Sequence, residues 1–216
     1  MLRLVPDKKG PLEILCLGAH SDDIEIGCGG SILELLDRKT PVNVTWVVLC
    51  GIGDREEEAR ASAARFLAKA KRSDVRVEKF RDGYFPAQHR EVKDYFESLK
   101  RSVQVPDVIF THVRDDLHQD HRIVSELTWN TFRNHLILEY EIPKYDGGLG
   151  SPNAFVPLSR ANSRRKVKLL MRGFASQRSK GWFTEDTFEA MLRIRGIESN
   201  APSGHAEGFY VRKVIL

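Results

Sequence analysis

The stretch Leu12-Glu13-Ile14-Leu15-Cys16-Leu17-Gly18-Ala19-His20-Ser21-Asp22-Asp23-Ile24-Glu25 passes from an apolar run to a knot of metal-type ligands. Leu12 to Leu17 reads as a short buried strand that stops at Gly18. Beyond it, Ser31 is a helix cap, with Ile32, Leu35 and Leu36 on one face. Val42 to Leu49, rich in β-branched residues, is a second strand, and Ala59, Ala63, Phe66, Leu67 and Ala70 form the stripe of a second helix. The alternation continues: strand Val75 to Phe80, helical spacing at Val92, Phe96, Leu99 and Val103, strand Val108 to His112, a helix from Asp120, and strand Ile137 to Ile142. Repeated β-α units of this kind predict an α/β fold with a largely parallel, doubly wound sheet and right-handed crossovers.

Past Pro143 the pattern weakens. Gly147, Gly148, Gly150 and Pro152 suggest a long loop over 143–157, followed by helical stripes at Val167, Leu170, Met171, Phe174 and at Phe188, Met191, Leu192, Arg195. Phe209 to Leu216 alternates weakly and is expected to return as a strand. With 216 residues and no repeat, one domain over 1–216 is expected.

Composition narrows the class. Apolar residues at 41% and charged residues at 30% suit a soluble globular chain, and no apolar run reaches membrane-spanning length. The start, Met1 to Gly10, lacks an apolar core before a small-residue cleavage site, so a cytoplasmic location is expected. Cys16, Cys28 and Cys50 form no C-x-x-C pair and read as small buried residues. A net charge of +4 fits a solvated surface or an anionic small substrate; Arg160 to Lys168 is one basic cluster with few aromatics, so nucleic acid is not an expected partner.

In open parallel sheets ligands bind beyond the carboxyl ends of strands, and two such places are dense in ligand-type residues. One is Gly18 to Glu25; the other is Arg114-Asp115-Asp116-Leu117-His118-Gln119-Asp120-His121. A catalytic zinc takes three nitrogen or oxygen ligands and keeps one position open for water. An imidazole and a carboxylate from the first cluster with one imidazole from the second meet that need, and the neighbouring aspartate is free to take a proton. His118 and His121 share a helix mouth: one can bind metal while the other stabilises an oxyanion or protonates the leaving amine, with Asp120 orienting the second. Glu25 fits a hydrogen bond behind the ligands or a surface position.

These residues resemble the LmbE/PIG-L-type zinc deacetylases, which share A-H-P-D-D-x-E after the first strand and H-x-D-H later. Here Ala19 to Glu25 reads A-H-S-D-D-I-E and His118 to His121 reads H-Q-D-H, with Ser21 and Gln119 where proline is common. The resemblance implies a Rossmann-like three-layer fold and one zinc per chain, with iron(II) as a possible replacement, held by His20, Asp23 and His121. It implies Asp22 as general base, and His118, backed by Asp120, polarising the substrate carbonyl. The reaction implied is removal of an acetyl or other acyl group from an amino sugar, nucleotide sugar or sugar conjugate. His205 and Glu207 lie in a segment that, in similar proteins, runs close to the pocket.

Other features have plainer readings. His89, His112 and His135 show no partner pattern. Gly27, Gly29 and Gly30 lack the spacing of a nucleotide loop. Arg55, Arg114 and Arg160 are candidates to clamp a substrate phosphate. Two further functions fit the pattern: a metal-dependent phosphoesterase, which normally wants more carboxylates, and a non-catalytic sugar- or nucleotide-binding protein.

Overall fold

A computed structural model describes residues 9–214. Strand β1, Leu12–His20, is an interior strand of a seven-stranded sheet ordered β3-β2-β1-β4-β5-β7-β6, where β2 is Val42–Cys50, β3 Arg72–Val77, β4 Val108–His112, β5 Leu136–Tyr140, β6 Ala154–Pro157 and β7 Ala206–Tyr210. The first five strands are mutually parallel, and β7 joins antiparallel to both β5 and β6. Parallel strands need crossovers, which four helices supply: α1, Asp23–Leu36; α2, Asp54–Phe66; α3, His89–Ser102; and α4, Gln119–Thr131; α5, Arg160–Gly173, and α6, Glu185–Glu198, link the antiparallel β6 and β7.

Because β1 is covered on both faces, its side chains divide between two cores. Ile14 and Cys16 pack with Ile32, Phe66, Leu170 and Leu192 under α1, α2, α5 and α6. Leu15 and Leu17 pack with Val92, Phe96, Val124 and Leu127 under α3 and α4. The result is the expected three-layer α/β arrangement, with order reversing between β1 and β4 and so opening a crevice at their carboxyl ends. No helix among the described residues is long and apolar enough to cross a membrane.

Helix α1 begins at Asp23, eight residues before the expected cap Ser31, whose N–H instead donates to Glu207 Oε2. The glycines that read as a break serve close approach: a Cβ on Gly27 would lie 2.1 Å from the Tyr140 ring, and one on Gly30 would meet Leu158 and Glu207. β1 also runs on to His20, β3 starts earlier than expected at the polar sheet edge, and β6 occupies the end of the expected 143–157 loop. The final strand is Ala206–Tyr210, not Phe209 to Leu216; it is placed by burial of Ala206 to Phe209 between β5 and β6. Residues 1–8, on which the expected cytoplasmic location rests, and residues 215–216 lie outside the described part.

Candidate metal centre

The crevice between β1 and β4 collects both ligand clusters. His20 is the last residue of β1 and Asp23 the first of α1, so the two-residue turn between them aims both side chains into one space. His118 caps α4, and His121 lies on its first turn. His20 Nδ1 stands 3.2 Å from His121 Nε2. Asp23 Oδ2 stands 3.2 Å from His20 Nδ1 and 3.5 Å from His121 Nε2. Two bonds of about 2.1 Å at a tetrahedral angle separate ligand atoms by about 3.4 Å, so these three donors have the spacing of a tetrahedral face.

Each imidazole is braced from its far side. His121 Nδ1 is 3.0 Å from Asp116 Oδ2, which also receives Lys144 Nζ at 2.9 Å. Asp116 Oδ1 accepts the His118 N–H at 2.8 Å, so this buried carboxylate ties together the β4 loop, the start of α4 and the segment after β5. His20 Nε2 meets Asp120 Oδ2 at 3.3 Å and Asp82 Oδ1 at 3.1 Å. Asp120 in turn accepts the N–H groups of Gly83 at 2.6 Å and Phe85 at 3.1 Å. Its carboxylate therefore positions His20 and the 83–85 loop; towards His118 it offers only its backbone N–H, received by His118 Nδ1 at 3.2 Å.

Protonation follows from this wiring. Burial, with His112 stacked alongside at 3.9 Å between ring centroids, pushes His121 down to about 3, leaving a neutral ring whose Nε2 lone pair faces His20 Nδ1. Burial opposes ionisation of Asp23, but His121, His112 and His20 outweigh it and hold the carboxyl well below its usual range. Burial also works against charge on His20, yet Asp23 and then Asp120 and Asp82 raise it: the pocket favours positive charge where His20, Asp23 and His121 converge. Asp22 is raised by burial and then by the Asp23 carboxylate. It sits at the α1 N-cap without making a side-chain capping bond, so its carboxylate is not committed to the helix. His118 is lowered by burial and by His20, and acceptance at Nδ1 assigns its proton to Nε2.

Three groupings of metal-type donors occur among the described residues: His20 with His118 and His121, Asp23 with His112 and His121, and His20 with Asp82 and Asp120. In the second, His112 Nε2 already accepts the Ala19 N–H at 3.0 Å. His112 is fully buried and belongs to the site's wall, which its lone position in the sequence did not reveal. Asp116 had a legible signal, a carboxylate near a candidate ligand histidine that needs its second nitrogen held. Asp82 had none, since only folding brings the loop after β3 to His20.

Other candidates disperse. Arg55 reaches the pocket, 3.0 Å from Asp82 Oδ2 and 3.4 Å from Asp22 Oδ1. Arg114 lies over the Trp129 ring, and Arg160 begins α5. Glu207 is engaged by Lys166, Gly30 and Ser31, and His205 by Ser203. Glu25 is fully buried rather than on the surface, and burial, partly offset by the Ser62 hydroxyl, pushes it up to about 8. Ser21 and Gln119, standing where proline is common, each brace a loop: Ser21 Oγ donates to Cys50 O at 3.3 Å and Gln119 Nε2 to Gly83 O at 3.2 Å.

Residues 15–132 match the family model described as PIG-L, GlcNAc-PI de-N-acetylase. A relative named uncharacterized deacetylase YaiS, from Escherichia coli (strain K12), is 32% identical over 145 residues, covering 60% of this chain and 74% of that protein. In fold, the chain is similar to GalB, the 4-carboxy-2-hydroxymuconate hydratase from Pseudomonas putida KT2440, with TM-score 0.73, 16% identity and coverage of 95% and 98%. It is also similar to the N,N'-diacetylchitobiose deacetylase from Pyrococcus horikoshii, with TM-score 0.66, 20% identity and coverage of 93% and 83%. One scaffold thus carries a hydratase and a deacetylase, so likeness of fold does not choose between reactions.

Proposed function

The chain belongs to the PIG-L (GlcNAc-PI de-N-acetylase) family, a deacetylase family, and from that premise we propose that it is a zinc-dependent hydrolase that removes an N-acetyl group from an amino sugar or sugar conjugate. The observation that carries the metal reading is the trio His20 Nδ1, Asp23 Oδ2 and His121 Nε2 at 3.2 to 3.5 Å, with an imidazole lone pair and a carboxylate facing the same point. His20, Asp23 and His121 are the proposed ligands. His118, with its Nδ1 occupied by the Asp120 N–H, has Nε2–H to offer as a donor instead. Held by those residues, zinc would supply Lewis acidity and would lower the pKa of a bound water.

The rest of the chemistry belongs to the chain. Asp22, uncommitted to capping and raised towards neutrality, takes the proton of the attacking water and can return it to the leaving amine. His118 donates Nε2–H to the carbonyl oxygen as negative charge develops there. Asp116 and Asp120 keep the two ligand imidazoles turned inward, Asp120 acting on His20. Arg55 and the half-exposed Asp82, paired at the pocket mouth, present a donor and an acceptor suited to the hydroxyls of a sugar.

The test is metal content of the purified chain together with acetate release from a panel of N-acetyl sugars, nucleotide sugars and sugar conjugates, with and without chelator. About one zinc per chain and chelator-sensitive acetate release are expected. Metal without acetate release from any member would count against deacetylation, and released phosphate would point to a phosphoesterase. Absence of bound metal would remove the proposed chemistry.

A further inference from the structure

Helix α5 carries Arg160, Arg164, Arg165, Lys166, Lys168 and Arg172 and no acidic residue. Arg160, Arg164, Lys168 and Arg172 recur every fourth residue and are exposed, and none of their side chains has a hydrogen bond or ion pair among the described residues. Like charges at this spacing repel along a helix, so the row is a cost that internal contacts leave uncompensated.

Its first half borders a groove. Between α5 and α6 lies a cavity of about 400 Å³, within the size of small-molecule sites, roughly 300–1,000 Å³. Arg160 and Arg164 line one wall and Arg193 the other, against a single acidic side chain, Glu189. Val167 and Leu192, both buried, form an apolar floor. The end wall is the turn Ser203 to His205, held by Arg193 Nη1 donating to Gly204 O at 3.1 Å and by His205 Nδ1 donating to Ser203 O at 3.1 Å. Gly204 has φ +78°, in the left-handed region, and its lack of a Cβ lets Arg193 Nη1 approach.

The groove is remote from the crevice. The start of α5 is anchored to the end of α1, with the Ser159 N–H on Glu34 Oε1 at 2.6 Å and Asn162 Nδ2 on Asp37 Oδ2 at 3.0 Å. Since α1 begins at Asp23, its length, roughly 20 Å, separates this end of α5 from the metal-type cluster.

We propose that the groove is a second binding site, for a phosphate-bearing small molecule whose phosphate meets Arg160, Arg164 and Arg193 and whose apolar part covers Val167 and Leu192. Guanidinium groups match phosphate oxygens bidentately, and a partly apolar floor favours an organic phosphate over a free ion. The site is independent of the proposed deacetylation.

Phenyl phosphate is a suitable probe, titrated into the full chain at fixed ionic strength while the His205 imidazole signal is followed by NMR. Saturable movement of that signal is expected, with phenol causing none. Arg160 and Arg164 make no contacts that the fold needs, so the R160Q/R164Q pair should melt like the parent while binding about tenfold more weakly or worse. The K168Q/R172Q pair, on the same row but outside the groove, should bind within about twofold of the parent. No saturable shift, or equal weakening in both pairs, would overturn the proposal, the latter by reducing it to diffuse attraction along the helix.

Discussion

Two of the buried clusters of charge among the described residues are completed differently. Beneath α1, α5 and α6, Lys166 Nζ meets Glu207 Oε1 at 2.5 Å and Ile26 O at 2.5 Å, while Glu207 accepts the N–H groups of Gly30 and Ser31. Ile26 O is the carbonyl four residues before Gly30, so the ion pair addresses both ends of one rung of α1. Beside it, Arg195 holds Glu141 at 2.7 Å, and Glu141 also takes the Tyr210 hydroxyl and the Gly150 N–H. Every charge there finds an opposite charge within the chain. In the crevice, by contrast, an imidazole lone pair and a carboxylate oxygen face one another across 3.5 Å. The first cluster is therefore closed by its own charges and serves as scaffold, while the second gathers imidazole and carboxylate donors at the spacing of a metal site.

That contrast can be broken most directly at His121. His121→Ala should leave the chain unable to retain zinc and without acetate release; a variant with full zinc content by elemental analysis would remove His121 from the ligand set. Next in size, Asp22→Asn should lower kcat by about 10²–10⁴-fold while zinc content and melting temperature stay near the parent's. Loss of zinc together with activity would show that Asp22 is a ligand instead.

Lys166→Met probes the other cluster and should leave Glu207 unpaired, costing about 3–5 kcal/mol in urea unfolding. Zinc per folded chain should not change; a fall in zinc affinity would mean the two clusters are coupled. Smallest are the braces. Asp116→Asn should weaken zinc binding about 10- to 100-fold in chelator competition. Lys144→Met should weaken it less, because Lys144 touches the ligand only through Asp116. The reverse ranking would assign Lys144 a direct part in the site.

Much of this was legible in the chain. The apolar run Leu12 to Leu17 and its successors carried the parallel sheet, because strands covered on both faces cannot alternate with polar residues. The H-S-D-D and H-Q-D-H segments each follow such a strand, which places them at one end of the sheet before any coordinates are known. The start of α1 was not legible, since Gly27, Gly29 and Gly30 weaken helix propensity; their reason for being there is the Tyr140 ring and the Glu207 carboxylate, distant in sequence. Asp120 was expected behind His118 from proximity in sequence, but its carboxylate turns to His20 and to the loop at Gly83 and Phe85.

By itself, then, the sequence determined the fold class and the family and offered a set of candidate metal donors, because periodicity and donor type are local properties. Tertiary structure alone brought His112, Asp82, Arg55 and Lys144 to those residues, assigned Glu207 to the scaffold, and gathered arginines of two helices around one groove. Which lone pairs meet, and which charges are already matched, depends on strand order and helix packing across a hundred residues of chain, as with His20 and His121. No local pattern encodes that distance.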